Sequence, residues 1–166
     1  MPDITMITGG AGAGKTAHAL TLAAEYGRKL YVATAESTDE EMQVKIDAHK
    51  AERDETYQTA EEPLEIHKAV NSADADVVII DCLTFWVNNL MHYGKDYDEY
   101  FEKLMGSLKR SAKPVIIVTN EVGFGIIPWD KETRLYAKLL SKINKQLARS
   151  ADNVIMMVSG LELRVK

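Results

Sequence analysis

Eight residues near the N-terminus have the types and spacing to hold a polyphosphate. Gly9-Gly10-Ala11-Gly12-Ala13-Gly14-Lys15-Thr16 reads G-x-x-x-x-G-K-[ST]. Glycines let a backbone curl until its N–H groups converge on phosphate oxygens. The N-terminus of a following helix adds partial positive charge. Lys15 can then reach the β- and γ-phosphates, and the Thr16 hydroxyl can ligate Mg²⁺. A glycine-rich turn of no chemical consequence is the alternative. The setting argues against it, because the apolar run Ile4–Thr8 precedes the loop and a helical pattern from about Lys15 to Tyr26 follows.

A second candidate closes the run VVIID, Val77–Asp81. An unbroken apolar run is the pattern of a strand buried on both faces. A carboxylate at its end can bind Mg²⁺ directly or through water if the strand lies next to the phosphate-loop strand, and that neighbourhood is expected here. The plainer role for Asp81 is to cap the next helix.

His49 is the third. It falls late in a helix expected from Ser37 to about Arg53, opened by the capping-box pattern Ser37-Thr38-Asp39-Glu40. Met42, Ile46, His49 and Arg53 recur along one face of that helix. The cations Lys50 and Arg53 lower an imidazole's pKa and keep it neutral, so a ring nitrogen could attack phosphorus. By local sequence alone, a solvated surface histidine is the ordinary reading. His18 falls just behind the loop and suits packing on the helix, and His67 and His92 have no cluster around them.

The segment Asn120–Pro128 follows another buried strand. Its two glycines and proline give the loop a defined path, with Glu121 at the strand's C-terminal end, the edge where open α/β sheets bind ligands. A purely structural turn is equally compatible with these residues.

The elements that must position these groups alternate along the chain. Strands are expected at Ile4–Thr8, Lys29–Thr34, Val77–Asp81, Pro114–Thr119 and Asn153–Ser159, with an edge strand at Leu161–Lys166. Lys131–Arg149 reads as a long amphipathic helix with Leu135, Leu139, Leu140, Ile143 and Leu147 inward. The pattern implies one α/β domain over residues 1–166, a mostly parallel sheet with helices on both faces and an antiparallel C-terminal edge.

Composition bounds the rest. The 166 residues are 46 % hydrophobic and 27 % charged, ordinary for a soluble globular chain. A formal net charge of −5 disfavours nonspecific nucleic-acid binding. No apolar run approaches the ~20 residues that span a bilayer, and no secretory signal is expected. Cys82 is the single cysteine, which excludes an internal disulfide and a cysteine-rich zinc site. These features fit a cytoplasmic protein.

Taken together, the segments resemble the bifunctional adenosylcobinamide kinase and adenosylcobinamide-phosphate guanylyltransferase family of cobalamin synthesis. The resemblance runs through TGGAGAGKT (Thr8–Thr16), YVATAE (Tyr31–Glu36), DEEMQVKIDAHK (Asp39–Lys50) and YQTAE (Tyr57–Glu61). It continues in DCLTFWVNNL (Asp81–Leu90), TNEVGFGIIP (Thr119–Pro128), INKQLA (Ile143–Ala148) and VSG (Val158–Gly160). It implies a P-loop NTPase-like fold and two reactions at one site. A nucleoside triphosphate, ATP or GTP, phosphorylates the aminopropanol hydroxyl of adenosylcobinamide. GTP then guanylylates a histidine, and adenosylcobinamide phosphate takes the GMP to give adenosylcobinamide-GDP.

By the same resemblance the guanylylated histidine is His49, and Lys15 serves catalysis. Nucleotide contacts fall on Thr8 to Thr16, on Ala33, Thr34 and Ala35, on Lys50, Ala51, Glu52 and Arg53, and on Glu61 and Asp81. Mg²⁺ falls on Thr16 and Asp81, and Glu121 and Arg134 are substrate-loop candidates. A homotrimer is implied as well. The chain departs from the family pattern at three places. Gly12-Ala13 stands for Arg-Ser, Ala51-Glu52-Arg53-Asp54 for a run with glycine then Arg-Pro, and Ala137-Lys138 for Arg-Asp. Two other readings use the same loop: a kinase of another small alcohol with no protein adduct, and a non-catalytic nucleotide switch.

Overall fold

The computed structural model describes residues 3–37, 40–51 and 53–166, with the backbone alone at 41, 42, 45 and 49. The chain runs β1 (Ile4–Gly9), α1 (Lys15–Ala23), β2 (Lys29–Ala33), α2 (Glu40–Ala51), β3 (Tyr57–Glu61), α3 (Ile66–Ser72) and β4 (Val77–Asp81). It continues α4 (Leu83–His92), α5 (Tyr97–Arg110), β5 (Val115–Val118), α6 (Lys131–Ser150), β6 (Asn153–Val158) and β7 (Leu161–Arg164). The strands form one sheet in the order β3-β2-β4-β5-β1-β6-β7. Every pairing is parallel except β6 with β7. The expected α/β architecture with an antiparallel C-terminal edge is therefore the one observed.

Alternation along the buried strands sorts side chains to two faces. Val78 and Ile80 join Trp86, Leu104, Leu140 and Leu147 on the face covered by α3 to α6. Val77 and Ile79 join Ile7, Ile116, Ala19 and Ala23 on the face covered by α1. Trp86 is fully buried, and its indole N–H donates to the Leu64 carbonyl at 2.8 Å. Burying such a side chain contributes about 3 kcal/mol, so this contact locks α4 onto the turn after β3.

Four expectations need correction. The strand β4 does not adjoin β1, because β5 lies between them. Both β4 and β5 are continuous apolar runs, and nothing in such a run fixes its order in the sheet. Leu135 is exposed rather than inward. A helix of 20 residues is about 30 Å long, whereas a 6-residue strand covers about 20 Å, so the first turns of α6 overhang the sheet. The helix α1 stops at Ala23, three residues short, with Ala24 and Tyr26 turning back onto the Thr21 and Ala23 carbonyls. The helix α2 spans Glu40–Ala51, so Arg53 lies beyond its end. Thr38 and Asp39, the middle of the Ser37–Glu40 capping box, lie outside the described residues, as do the side chains of Met42 and His49.

Candidate nucleotide site

The phosphate loop leaves β1 at Gly9, where φ is +141°. A Cβ there would stand 2.4 Å from the Met157 carbonyl oxygen on β6, so this position tolerates only glycine. The loop enters α1 through Gly14, a left-handed N-cap with φ 91°. Ala13 N–H donates to the Gly10 carbonyl at 3.3 Å, and Gly160 N–H from the β6–β7 turn donates to the Ala13 carbonyl at 3.2 Å. The loop is thus braced from within and from the hairpin.

Lys15 opens α1 and is 8 % exposed, its Nζ donating to the Gly10 carbonyl at 2.6 Å. Burial pushes its pKa below the ordinary lysine value, opposed by Cys82 and by the Asp81 carboxylate. Thr16 Oγ1 donates to Asp81 Oδ2 at 2.7 Å. The bond forms although β5 separates the two strands, because α1 crosses the sheet over β5 and β4. Tyr31 Oη on β2 donates to the same Oδ2 at 2.5 Å. The Arg53 guanidinium lies over the Tyr31 ring at 3.9 Å from its centroid.

Thr16 and Asp81 offer only hard oxygen donors. Among the described residues no three His, Cys, Asp or Glu side chains gather as a metal cage. The pair fits an ion that takes its other ligands from phosphate and water, which is the habit of Mg²⁺.

A cleft of about 960 Å³ opens over these groups. Its floor is Ala11 to Ala17 with Asp81, and one wall is Gln43, Ile46, Lys50 and Arg53 from α2 and its exit. Ala33, Ala35 and Glu61 line it from the ends of β2 and β3. A second, open hollow of about 560 Å³ shares Lys50, Arg53 and Glu61 with it. Lys50 Nζ donates to Glu61 Oε1 at 2.5 Å across this rim.

The expected residues divide accordingly. Ala11, Gly12, Ala13, Gly14, Lys15, Thr16, Ala33, Ala35, Lys50, Arg53, Glu61 and Asp81 meet in the cleft. Thr8 is buried in β1, and Gly9 and Gly10 shape the loop from outside the lining. Thr34 is buried beneath, its hydroxyl donating to the Cys82 carbonyl at 2.7 Å and accepting from Cys82 N–H at 2.8 Å. Ala51 is exposed, Glu52 lies outside the described residues, and His49 is placed by backbone alone on α2. Glu121 accepts from Gly123 N–H at 2.6 Å, and Arg134 donates to the Pro128 carbonyl at 2.9 Å. Both therefore fasten their own loop rather than the cleft.

Tyr31, Phe85 and Asn120 also line the cleft and were not singled out by sequence. Asn120 is held by its backbone, with N–H donating to Thr84 Oγ1 at 2.8 Å and C=O accepting from Asn144 Nδ2 at 3.0 Å. Its position at the tip of β5 was the available signal. Tyr31 gave none, since its partner is on a strand 50 residues away.

A lysine-tipped glycine loop between strand and helix, facing a strand-end carboxylate, places the chain among the P-loop nucleotide-binding proteins. Solved structures agree at the level of fold. The flagellar accessory protein FlaH from Methanocaldococcus jannaschii superposes with a TM-score of 0.57 at 15 % identity, covering 99 % of this chain and 78 % of that one. The ATPase EscN of the enteropathogenic E. coli type III secretion system, in complex with its central stalk EscO, gives 0.61 at 11 %, covering 95 % and 42 %.

Sequence relatives narrow the class. The family model for cobinamide kinase / cobinamide phosphate guanyltransferase matches residues 5–165, and the chain belongs to that family. It is 34 % identical to the bifunctional adenosylcobalamin biosynthesis protein CobU of Escherichia coli (strain K12), covering 97 % of this chain and 98 % of that protein. It is also 34 % identical to the corresponding protein CobP of Pseudomonas aeruginosa, over 97 % and 96 %.

Proposed function

We propose that this chain phosphorylates adenosylcobinamide with ATP or GTP. It then transfers GMP from GTP, through His49, to adenosylcobinamide phosphate, giving adenosylcobinamide-GDP and pyrophosphate. Residues 1–166 act as one domain for both steps. Membership of the family supports the pair of activities. The observation that carries the reading is that α2, whose backbone includes His49, lines the phosphate cleft through Gln43, Ile46 and Lys50.

In the first step the phosphate loop and Lys15 hold the triphosphate while the substrate hydroxyl attacks the γ-phosphorus: an O–P bond forms, the β–γ P–O bond breaks, the nucleoside diphosphate leaves, and the hydroxyl proton passes to solvent. In the second, a neutral His49 nitrogen attacks the α-phosphorus. An N–P bond forms, the α–β P–O bond breaks, and pyrophosphate leaves from the loop that holds it. The corrinoid phosphate oxygen then attacks the same phosphorus and the N–P bond breaks. Lys50 and Arg53 stand beside the cleft to offset phosphate charge. Thr16 and Asp81 would hold Mg²⁺, whose chemistry is to neutralise charge on the phosphates.

The homotrimer is part of the reading. Ile126 and Trp129 are 97 % and 96 % exposed, and Leu161, Leu163 and Val165 project from the edge strand and its end. So much apolar surface suits a contact between copies. Cys82, buried and unpaired, fits a reducing cytoplasm.

The deciding experiment incubates the protein with α-labelled GTP and Mg²⁺ and treats the labelled product with acid and with base. A phosphoramidate loses label in acid and keeps it in base. Absence of covalent label with kinase activity intact would sink the histidine route.

A further inference from the structure

The strand β2 pairs with β4 so that Ala33 stands opposite Asp81. Tyr31, two residues earlier, shares that face and is the diagonal neighbour of Asp81. Ala33 is too short to touch the carboxylate, and Tyr31 is long enough to reach past it. Tyr31 is 3 % exposed and belongs to the α1-side core beside Ile79 of the neighbouring strand, so its hydroxyl has little freedom. It delivers its one proton to Oδ2, the oxygen that also accepts from Thr16. Among the described residues Oδ1 has no donor. A carboxylate turns readily about its last torsion, and two donors fixed on one oxygen select a single orientation.

The same ring connects to the far wall. Arg53 stacks on it just after α2 ends, and the Arg53 Nε is buried with no hydrogen-bond partner among the described residues. Arg53 therefore contacts Tyr31 through its flat face, not by spending its N–H groups, which suits a guanidinium also lining a phosphate cleft.

We propose that Tyr31 is a positioning residue for the metal–nucleotide complex: its hydroxyl sets the Asp81 carboxylate so that a divalent ion can be shared with Thr16. This rests on Asp81 being the metal carboxylate. Tyr31 acts through Asp81, the one group that its hydroxyl touches among the described residues.

Tyr31→Phe removes the hydroxyl alone and keeps the ring under Arg53. The experiment measures GDP affinity by calorimetry with Mg²⁺ and again with EDTA, for the wild type, Tyr31→Phe, Asp81→Asn and the double variant. Mn²⁺ binding to each GDP complex is read by electron paramagnetic resonance. Tyr31→Phe is expected to weaken GDP binding about tenfold with Mg²⁺, the worth of a hydrogen bond to a charged group, and to leave the EDTA value unchanged. Mn²⁺ should weaken in parallel, and the double variant should lose no more than Asp81→Asn. Equal loss with and without metal would reduce Tyr31 to a structural role and overturn the proposal. An unchanged Mg²⁺ effect in Tyr31→Phe, beside a lost one in Asp81→Asn, would overturn it while sparing Asp81. An unchanged Mg²⁺ effect in Asp81→Asn would overturn the metal assignment itself, and the Tyr31 proposal with it.

Discussion

Thr16 and Asp81 stand 65 residues apart in sequence and meet through a 2.7 Å hydrogen bond. The contact crosses the top of β5, so it depends on α1 lying correctly over the sheet. Replacing Asp81 by Asn keeps the shape and removes the charge. The expected result is a loss of Mg²⁺-dependent turnover on the order of 10²-fold, with the unfolding midpoint moved only slightly. Turnover followed across a Mg²⁺ titration checks this, and equal activity at every concentration would leave Asp81 only as the structural acceptor for Thr16 and Tyr31, since the N-cap of α4 is Cys82.

Lys15→Ala should abolish both partial reactions, by about 10³-fold or more, because each needs phosphates seated against the same ammonium. Pyrophosphate release and phosphoryl transfer are measured separately. Undiminished release of pyrophosphate would place the second reaction elsewhere.

His49→Ala should split the two activities. Label from α-labelled GTP should not be incorporated, and GMP transfer should fall by roughly 10⁴-fold, as for other deleted nucleophiles. Phosphorylation of adenosylcobinamide should persist, since the γ-phosphate passes directly to the hydroxyl. Normal labelling would shift suspicion to His18, whose Nε2 lies 3.2 Å from Glu162.

Gly9 and Gly10 offer a paired test of the loop. Gly9→Ala brings a methyl group to 2.4 Å from the Met157 oxygen at a φ of +141°, and should cost about 3 kcal/mol. A Cβ on Gly10 meets nothing within 4 Å. Gly10→Ala should therefore leave thermal stability nearly unchanged when measured without nucleotide. Similar melting of the two variants would contradict the geometry.

Asn89 should prove more important for the fold than its place on α4 suggests. It is 5 % exposed, and its amide donates to the carbonyls of Thr34 at 2.8 Å and Pro63 at 3.1 Å. Asn89→Leu strands both acceptors, for a loss of about 3 kcal/mol and roughly 10 °C in Tm. Thermal unfolding measures it, and a shift under about 2 °C would show that water replaces the amide.

Individual residues show how far the sequence was legible. The loop from Gly9 to Thr16 and the strands β1, β2, β4, β5 and β6 were readable because each has a local signature, glycine spacing or an apolar run. The strand β3 carries Gln58 and Thr59 exposed on a sheet margin, so it has no such run and no element was assigned to it. The helices α3, α4 and α5 were likewise unassigned, although α5 carries an Asp96 cap that accepts from Glu99 N–H at 2.9 Å. The meeting of Tyr31 with Asp81 depended on strand order, which is a property of the whole chain. Glu121 was chosen for its place at a ligand-binding sheet edge and Arg134 through the family resemblance, and their side chains bond within the 121–129 loop.

Strand order also has a consequence in time. The strands β4, β5 and β1 have a hydrogen-bonded neighbour on each side, while β3 and β7 have one each. Amide protons at the two margins should exchange with solvent first and those at the centre last. Asp81 and Gly9 end strands from the slow centre, whereas Glu61 ends a marginal strand and Gly160 leads into the other. The floor under the phosphates thus outlasts its flanking walls during the protein's ordinary breathing, and the cleft can loosen at its sides without giving up its base.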